Sequence, residues 1–304
     1  MKFTRILAFI MLGVMIMSLA ACTAPVKVVD EIPKEDQEKL DNGGTIEYIS
    51  YMSKDYYGMM GDVEKHAYVY LPPNYDETKQ YNVMYLFHGI GGDVWEWGMT
   101  DDNSVIKKCM DNLIEDGKIE PFIVVTPNGR SAKDHSSNSD HNSFYVFGNE
   151  LRYDLIPYID ANYATYAEGA GTDEYDITAA RDHRAAGGLS MGGMQTINIA
   201  LGECLDMFSY FGAFSACPTT NNSDAIAKDL EAFPDYDIKY FYNLCGTEDG
   251  IAISHHSAAV DGLCDKTDKL KDGKNFMWHT RSGGHDHNIW FLGFYNFANI
   301  AFTR

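Results

Sequence analysis

Basic residues are scarce in this 304-residue chain, which has 24 Lys and Arg against 44 Asp and Glu and a formal charge of −20. A field of that sign repels phosphate backbones and anionic lipid headgroups, which argues against a nucleic-acid binder. There is no zinc-finger spacing of Cys and His, and no glycine loop with the Lys that grips a nucleotide phosphate. The N-terminal apolar run, residues 6–21, is shorter than the roughly 20 apolar residues a membrane-spanning helix needs. The six cysteines show no disulfide framework. The hydrophobic share of 45% and charged share of 22% are those of an ordinary globular protein and exclude a disordered or collagen-like chain.

What is present begins with an address. Lys2 and Arg5 precede the apolar run, and small residues end it, the layout of a secretory signal peptide over residues 1–21. The run closes on Leu19-Ala20-Ala21-Cys22, which resembles a bacterial lipobox, so lipidation of Cys22 and anchoring at the cell surface are expected. Removing residues 1–21 takes away two bases and no acids, deepening the charge to −22. Residues 23–45 contain no aromatic and are rich in charge, Pro and Gly, so 22–45 reads as a lipidated Cys and a flexible tether. Cys109, Cys204, Cys217, Cys245 and Cys264 remain, an odd number, and read mostly as small buried apolar residues.

Residues 46–304 read as one α/β domain. Residues 45–53 and 63–71 alternate polar with apolar or aromatic, as half-buried strands do. Residues 81–87 and 121–126 are continuous apolar runs, as in strands buried on both faces. Further strands are expected over 185–189, 208–214, 238–244 and 276–281. Helices are expected over 104–114, 145–163, 191–202, 223–232, 253–271 and 288–302. Such alternation implies a mainly parallel sheet with helices on both faces. The polar stretch 127–143 breaks the rhythm. It holds Asp134, His135, Asp140 and His141, and reads as a solvated loop at the mouth of a site rather than a metal centre.

The chemistry centres on Gly188-Leu189-Ser190-Met191-Gly192, a G-x-S-x-G pattern between a strand and a helix. That is the setting of a nucleophile elbow, whose tight turn requires glycines two residues before and after the Ser. A Ser hydroxyl needs a base, and the base an orienting carboxylate, in the chain order Ser, acid, His for this fold class. His285, in Ser282-Gly283-Gly284-His285-Asp286-His287, follows the last strand and is the expected base, with His287 its competitor. His279 lies in a strand, and His255 and His256 at a helix start. Asp249, after 240–244, is the expected acid, with Glu248 the rival and Asp286 a third option better suited to a loop or cap hydrogen bond. Oxyanion donors are expected from the N–H of Met191 and of Ile90 in His88-Gly89-Ile90-Gly91-Gly92, with His88 supporting that loop. His285, His287 and a further His could in principle hold a metal, but no third ligand is placed by the spacing.

The segments VYLPPNYD (69–76), YNVMYLFHGIGGD (81–93), LIPYIDANY (155–163), HRAAGGLSMGGMQTINIAL (183–201), CGTEDG (245–250) and GGHDHNIW (283–290) together resemble the first carbohydrate esterase family. That family includes feruloyl esterases and acetylxylan esterases related to the esterase D group. The resemblance covers nearly all of 46–304 and implies an α/β-hydrolase fold with Ser190 as nucleophile, Asp249 as acid and His285 as base. It favours Asp249 over Glu248, and it implies no cofactor and no metal. Trp97 and His287 are then expected substrate contacts; His287 stands where relatives often carry an aromatic. The implied substrate is a hydroxycinnamoyl ester of plant cell-wall arabinoxylan. Alternatives are an acetylxylan esterase, an acyltransferase, or a surface carbohydrate-binding lipoprotein on a retired scaffold, which the complete triad argues against.

Overall fold

The computed structural model describes residues 27–303. The expected signal peptide, Cys22 and the start of the tether lie outside the described residues. Eight strands form one sheet in the order β1-β2-β4-β3-β5-β6-β7-β8. They are β1 (Thr45–Lys54), β2 (Asp62–Leu71), β3 (Asn82–Phe87), β4 (Phe122–Pro127), β5 (Arg184–Leu189), β6 (Tyr210–Phe214), β7 (Tyr240–Gly246) and β8 (Phe276–Arg281). β2 runs antiparallel to both β1 and β4, and every other pairing is parallel.

The pleat sorts side chains to two faces, and helices cover both. On β3, Val83, Tyr85 and Phe87 enter one core, with Phe147, Leu151, Leu155 and Ile159 of the helical run α2 (147–162). Met84 and Leu86 enter the other. That second core holds Ile106, Cys109, Met110 and Leu113 of α1 (Val105–Glu115). It also holds Leu292, Phe294 and Phe297 of α6 (His287–Ile300). Helix α3 (191–201) follows β5 directly, and α4 (Ser223–Leu230) follows β6. The helix expected over 253–271 is shorter. It ends as α5 (Ile253–Val260), because Asp261 is extended and Gly262 takes φ +69°, and only one short turn, Leu263–Lys266, follows. All five cysteines of the domain are free thiols, four buried and Cys264 half-buried. Among the described residues no helix is long and apolar enough to cross a membrane.

The tether expectation needs correction over its described part. Val29 exchanges two hydrogen bonds with the Asn296 side chain, at 2.9 and 3.0 Å. Ile32 is buried in the second core. Asp36, only 1% exposed, accepts from Lys118 Nζ at 3.0 Å and from Tyr295 Oη at 2.5 Å. The Gly44 N–H donates to Asp111 Oδ1 at 2.7 Å. Composition misled here because a strap needs only a few buried residues: one Ile, one Asp and backbone amides fix a segment that is otherwise polar.

Candidate active site

The parallel strands end on one side of the sheet, where an open α/β sheet presents its reacting groups. Ser190 follows β5 there, in the left-handed region at φ +52° and ψ −112°. A Cβ at Gly188 would collide with the Gly192 carbonyl, and one at Gly192 with that of Phe87. Glycine at both positions is therefore a steric requirement of the turn, and the strain it stores presents the hydroxyl.

Ser190 Oγ donates to His285 Nε2 at 3.0 Å, and His285 Nδ1 donates to Asp249 Oδ2 at 2.8 Å. Asp249 Oδ1 accepts from the Ile251 and Ala252 amides at 3.1 and 2.8 Å. Burial of Asp249 disfavours its charge, but the His285 hydrogen bond, the Ala252 amide and Ser215 outweigh burial and hold the carboxyl down at about 2. The acid is thus ionised at any working pH and fixes the imidazole tautomer with Nε2 free to take the Ser proton. The His285 loop reaches this position over Gly246, where a Cβ would strike the Gly283 carbonyl. The Glu248 carboxylate receives the Gly283 N–H on the outer side, so Glu248 anchors the loop rather than serving as the acid. Asp286 caps α6 by accepting from the Asn288 N–H at 2.9 Å. His255 is exposed; His256 is buried, with Nδ1 accepting from the Ala216 N–H at 3.2 Å and Nε2 donating to Asn243 at 3.1 Å.

The oxyanion loop lies against the nucleophile: a Cβ on Gly89 would touch Ser190 Cβ at 3.4 Å. The Gly89 N–H is already given to Glu96 Oε2 at 2.5 Å. The Ile90 N–H has no acceptor among the described residues, and Met191, at the first position of α3, has no intrahelical acceptor. These two free donors are the ones expected from the sequence. Three side chains brace the loop. His88 Nδ1 donates to the Gly89 carbonyl at 2.7 Å, and its Nε2 accepts from the Gly129 N–H at 2.9 Å. Burial lowers the His88 imidazole to about 4, which keeps it neutral for that double role. Arg130 donates to the carbonyls of Gly92 at 2.9 Å and of Ile90. Glu96 and Arg130 were not singled out from the sequence, because a lone Glu and a lone Arg in polar loops carry no spacing signal.

Trp97 corrects one expectation. It is fully buried, donates from Nε1 to the Phe87 carbonyl at 3.1 Å and meets Phe214, Phe291 and Phe294, so it supports β3 and cannot touch substrate. His287 is exposed beside the triad, lies against Trp290 and Phe291, and donates from Nε2 to the Glu96 carbonyl at 3.2 Å. In the 127–143 loop, Asp134 is engaged by Ser136, and Asp140 by Asn142 and Tyr57. Two larger clefts of about 870 Å³ each open at the opposite, N-terminal ends of the strands, and neither is lined by a serine or cysteine.

A serine nucleophile, an imidazole base, an ionised acid and two free N–H donors on this sheet define an α/β-hydrolase of the serine esterase class. The Esterase family model matches residues 60–291. The chain is 34% identical over 229 residues to an endo-1,4-beta-xylanase/feruloyl esterase of Xylanibacter ruminicola, and 32% identical over 217 residues to endo-1,4-beta-xylanase Y of Acetivibrio thermocellus. Those matches take in 72% and 70% of this chain but 28% and 19% of the two relatives. Among solved structures, a serine-to-alanine mutant of the feruloyl esterase module from Clostridium thermocellum, complexed with sinapinate, superposes with a TM-score of 0.74 at 25% identity. That match covers 92% of this chain and 95% of the module. The CE1 ferulic acid esterase of Anaeromyces mucronatus shares the fold with a TM-score of 0.72 at 22% identity, covering 91% of this chain and 98% of that one. The chain belongs to the Esterase family, and it spans less than a third of the length of the two curated relatives it matches.

Proposed function

We propose that this protein is a cell-surface feruloyl esterase that hydrolyses hydroxycinnamoyl esters on plant cell-wall xylan. Ser190 Oγ attacks the ester carbonyl as His285 Nε2 takes its proton. Asp249 holds the imidazolium, and the Ile90 and Met191 N–H groups receive the oxyanion. On collapse the sugar alcohol leaves with the proton from His285. Water, deprotonated by the same imidazole, then releases the acid from Ser190. The hydrogen-bonded chain Ser190–His285–Asp249 is the observation that carries the esterase chemistry.

The acyl preference is supported by what flanks the nucleophile. Phe144, Met191, Met194 and Cys217 form an apolar cluster, Tyr145 packs on it, and the Cys217 N–H donates to the Ser190 carbonyl at 3.2 Å. Phe144 and Met194 are closed from solvent and back the cluster, so its half-buried ring, Tyr145, is the one an aryl group would meet. The Clostridium thermocellum module named above was captured with sinapinate, itself a hydroxycinnamate. Lipidation of Cys22 is part of the same proposal. Four residues lie between Cys22 and Lys27, five steps along the chain, so the anchor would hold the enzyme within roughly 18 Å of the membrane.

The test compares initial rates of soluble residues 23–304 on methyl ferulate and on acetylated xylan, with Ser190→Ala as blank. Ser190-dependent hydrolysis that favours ferulate tenfold or more is expected. Preference for acetyl would overturn the acyl assignment while leaving the mechanism. Incorporation of a fatty-acid label in the bacterial host, lost in Cys22→Ala, is the expected sign of the anchor.

A further inference from the structure

Beside the active site lies a cleft of about 200 Å³ that the hydrolytic mechanism does not use. Its walls come from the sheet edge and the oxyanion loop. On the sheet, β1 and β2 pair Tyr48 with Tyr68 and Ser50 with His66, which puts the three rings on one face. The Tyr48 ring stacks on His66 at 5.1 Å and 16°, and tilts against Tyr68 at 4.9 Å. From the loop come Asp93 and Trp95, and Asn128 lies at the end of β4. Tyr48 is 57% and Trp95 51% exposed, although rings of that size are usually buried.

We propose that this cleft binds one sugar ring of the polysaccharide that carries the ester; the inference rests on the carbohydrate-ester reading above. A sugar ring has a C–H face that stacks on aromatic rings and a rim of hydroxyls that needs fixed polar partners. Both are present. Asp93 Oδ1 accepts from Asn128 Nδ2 and from the Val94 N–H, each at 2.7 Å, and Asn128 Nδ2 also donates to the His135 carbonyl at 2.8 Å. The carboxylate is therefore held in place, with Oδ2 left as an acceptor that no hydrogen bond among the described residues occupies. The volume is below the roughly 300–1,000 Å³ of a drug-sized ligand site, and suits a single ring. Trp95 lies five residues from Ile90, at most about 18 Å along the chain. A glycan whose ester sits at Ser190 can reach this cleft across the outer side of the oxyanion loop.

The experiment uses Trp95→Ala and Tyr48→Ala, both of which trim half-exposed rings. The readout is the ratio of kcat/KM on a feruloylated arabinoxylo-oligosaccharide to kcat/KM on methyl ferulate, which has no sugar. The ratio is expected to fall fivefold or more in both variants, through KM on the oligosaccharide. An unchanged ratio in both would overturn the proposal. The second arm titrates unesterified xylo-oligosaccharide into Ser190→Ala and into Ser190→Ala/Trp95→Ala, following amide shifts by NMR. Saturable shifts lost with Trp95 are expected, and no binding to Ser190→Ala would overturn the site. This arm needs no turnover. Were the wild type inactive on ferulates, the feruloyl reading would fall while the titration still decided the sugar site.

Discussion

Arg130, with no solvent exposure, donates to the carbonyl of Ile90, whose own N–H has no acceptor among the described residues. The guanidinium also holds the Gly92 carbonyl at 2.9 Å and that of Ser137 at 3.2 Å, and its flat face lies 4.6 Å from the Phe144 ring centroid. The Ile90 N–H shares its peptide plane with the Gly89 carbonyl, which His88 holds, and Arg130 fixes the next peptide through the Ile90 carbonyl, so the two side chains together set the aim of the oxyanion donor without touching substrate.

Arg130→Lys is therefore expected to lower kcat about 10- to 100-fold, toward the 10²–10³ lost with a whole oxyanion donor, with KM changed little. A lysine cannot form the fork that spans two carbonyls. A fall in Tm with kcat intact would show that Arg130 is merely structural. Steady-state kinetics beside a melting curve separates the two.

Asp249→Asn preserves shape but lets the imidazole adopt the wrong tautomer, so a loss of about 10⁴ in kcat is expected. The same carboxylate stabilises the fold. Its pKa in the native protein, about 2, lies below its ordinary 3.8, so its contribution is complete above about pH 4 and is lost as pH falls toward 2. The gap in Tm between wild type and Asp249→Asn should stay constant from pH 7 to 5 and narrow only below about pH 4. A gap that closes near pH 6 would refute the assignment.

The strands and the triad were legible because both rest on local rules. Period-2 alternation marks β1 and β2, continuous apolar runs mark β3 and β4, and two glycines around Ser190 announce a turn that nothing larger can make. Trp97 was misassigned because its place near the oxyanion loop in sequence does not reveal that its ring turns inward, under Phe87. Arg130 and Glu96 were invisible because their partners are backbone groups 38 to 40 residues away for Arg130 and seven for Glu96. Backbone acceptors and donors leave no trace in residue identity. The break at Gly262 was missed because the apolar spacing continues past it to Leu263.

Two fully buried imidazoles contribute to the acid sensitivity of the fold, and burial also lowers His135 and His183. Burial lowers His88 to about 4 and His256 to about 3, against 6.5 in an unfolded chain. Above about pH 7.5 both are neutral in either state and contribute almost no slope. Between 6.5 and 4 the unfolded chain binds up to two more protons than the native one, so stability falls as pH falls, by up to about 2.7 kcal/mol per pH unit. Urea unfolding at pH 7, 6 and 5 should show the midpoint dropping steadily. His256→Asn should be less stable at pH 7 and should lose about half of that slope. A midpoint unchanged from pH 7 to 5 would mean that neither ring is buried neutral.

Asp36 decides whether residues 28–44 are a tether or part of the fold. Its carboxylate is closed from solvent between Lys118, three residues past α1, and Tyr295 of α6. Asp36→Ala leaves the Tyr295 hydroxyl and the Lys118 ammonium without that partner, an expected cost of about 2 kcal/mol or 4–8 °C in Tm. Lys118 keeps Asp116 at 3.0 Å, which limits the loss. Neither partner touches the triad, so kcat on methyl ferulate should stay within about twofold. A chain starting at residue 45 should melt well below one starting at residue 27, because Ile32 leaves the core and Asn296 loses Val29. Equal melting of the two chains would restore the flexible tether and lengthen the reach from Cys22 to the whole of residues 23–45.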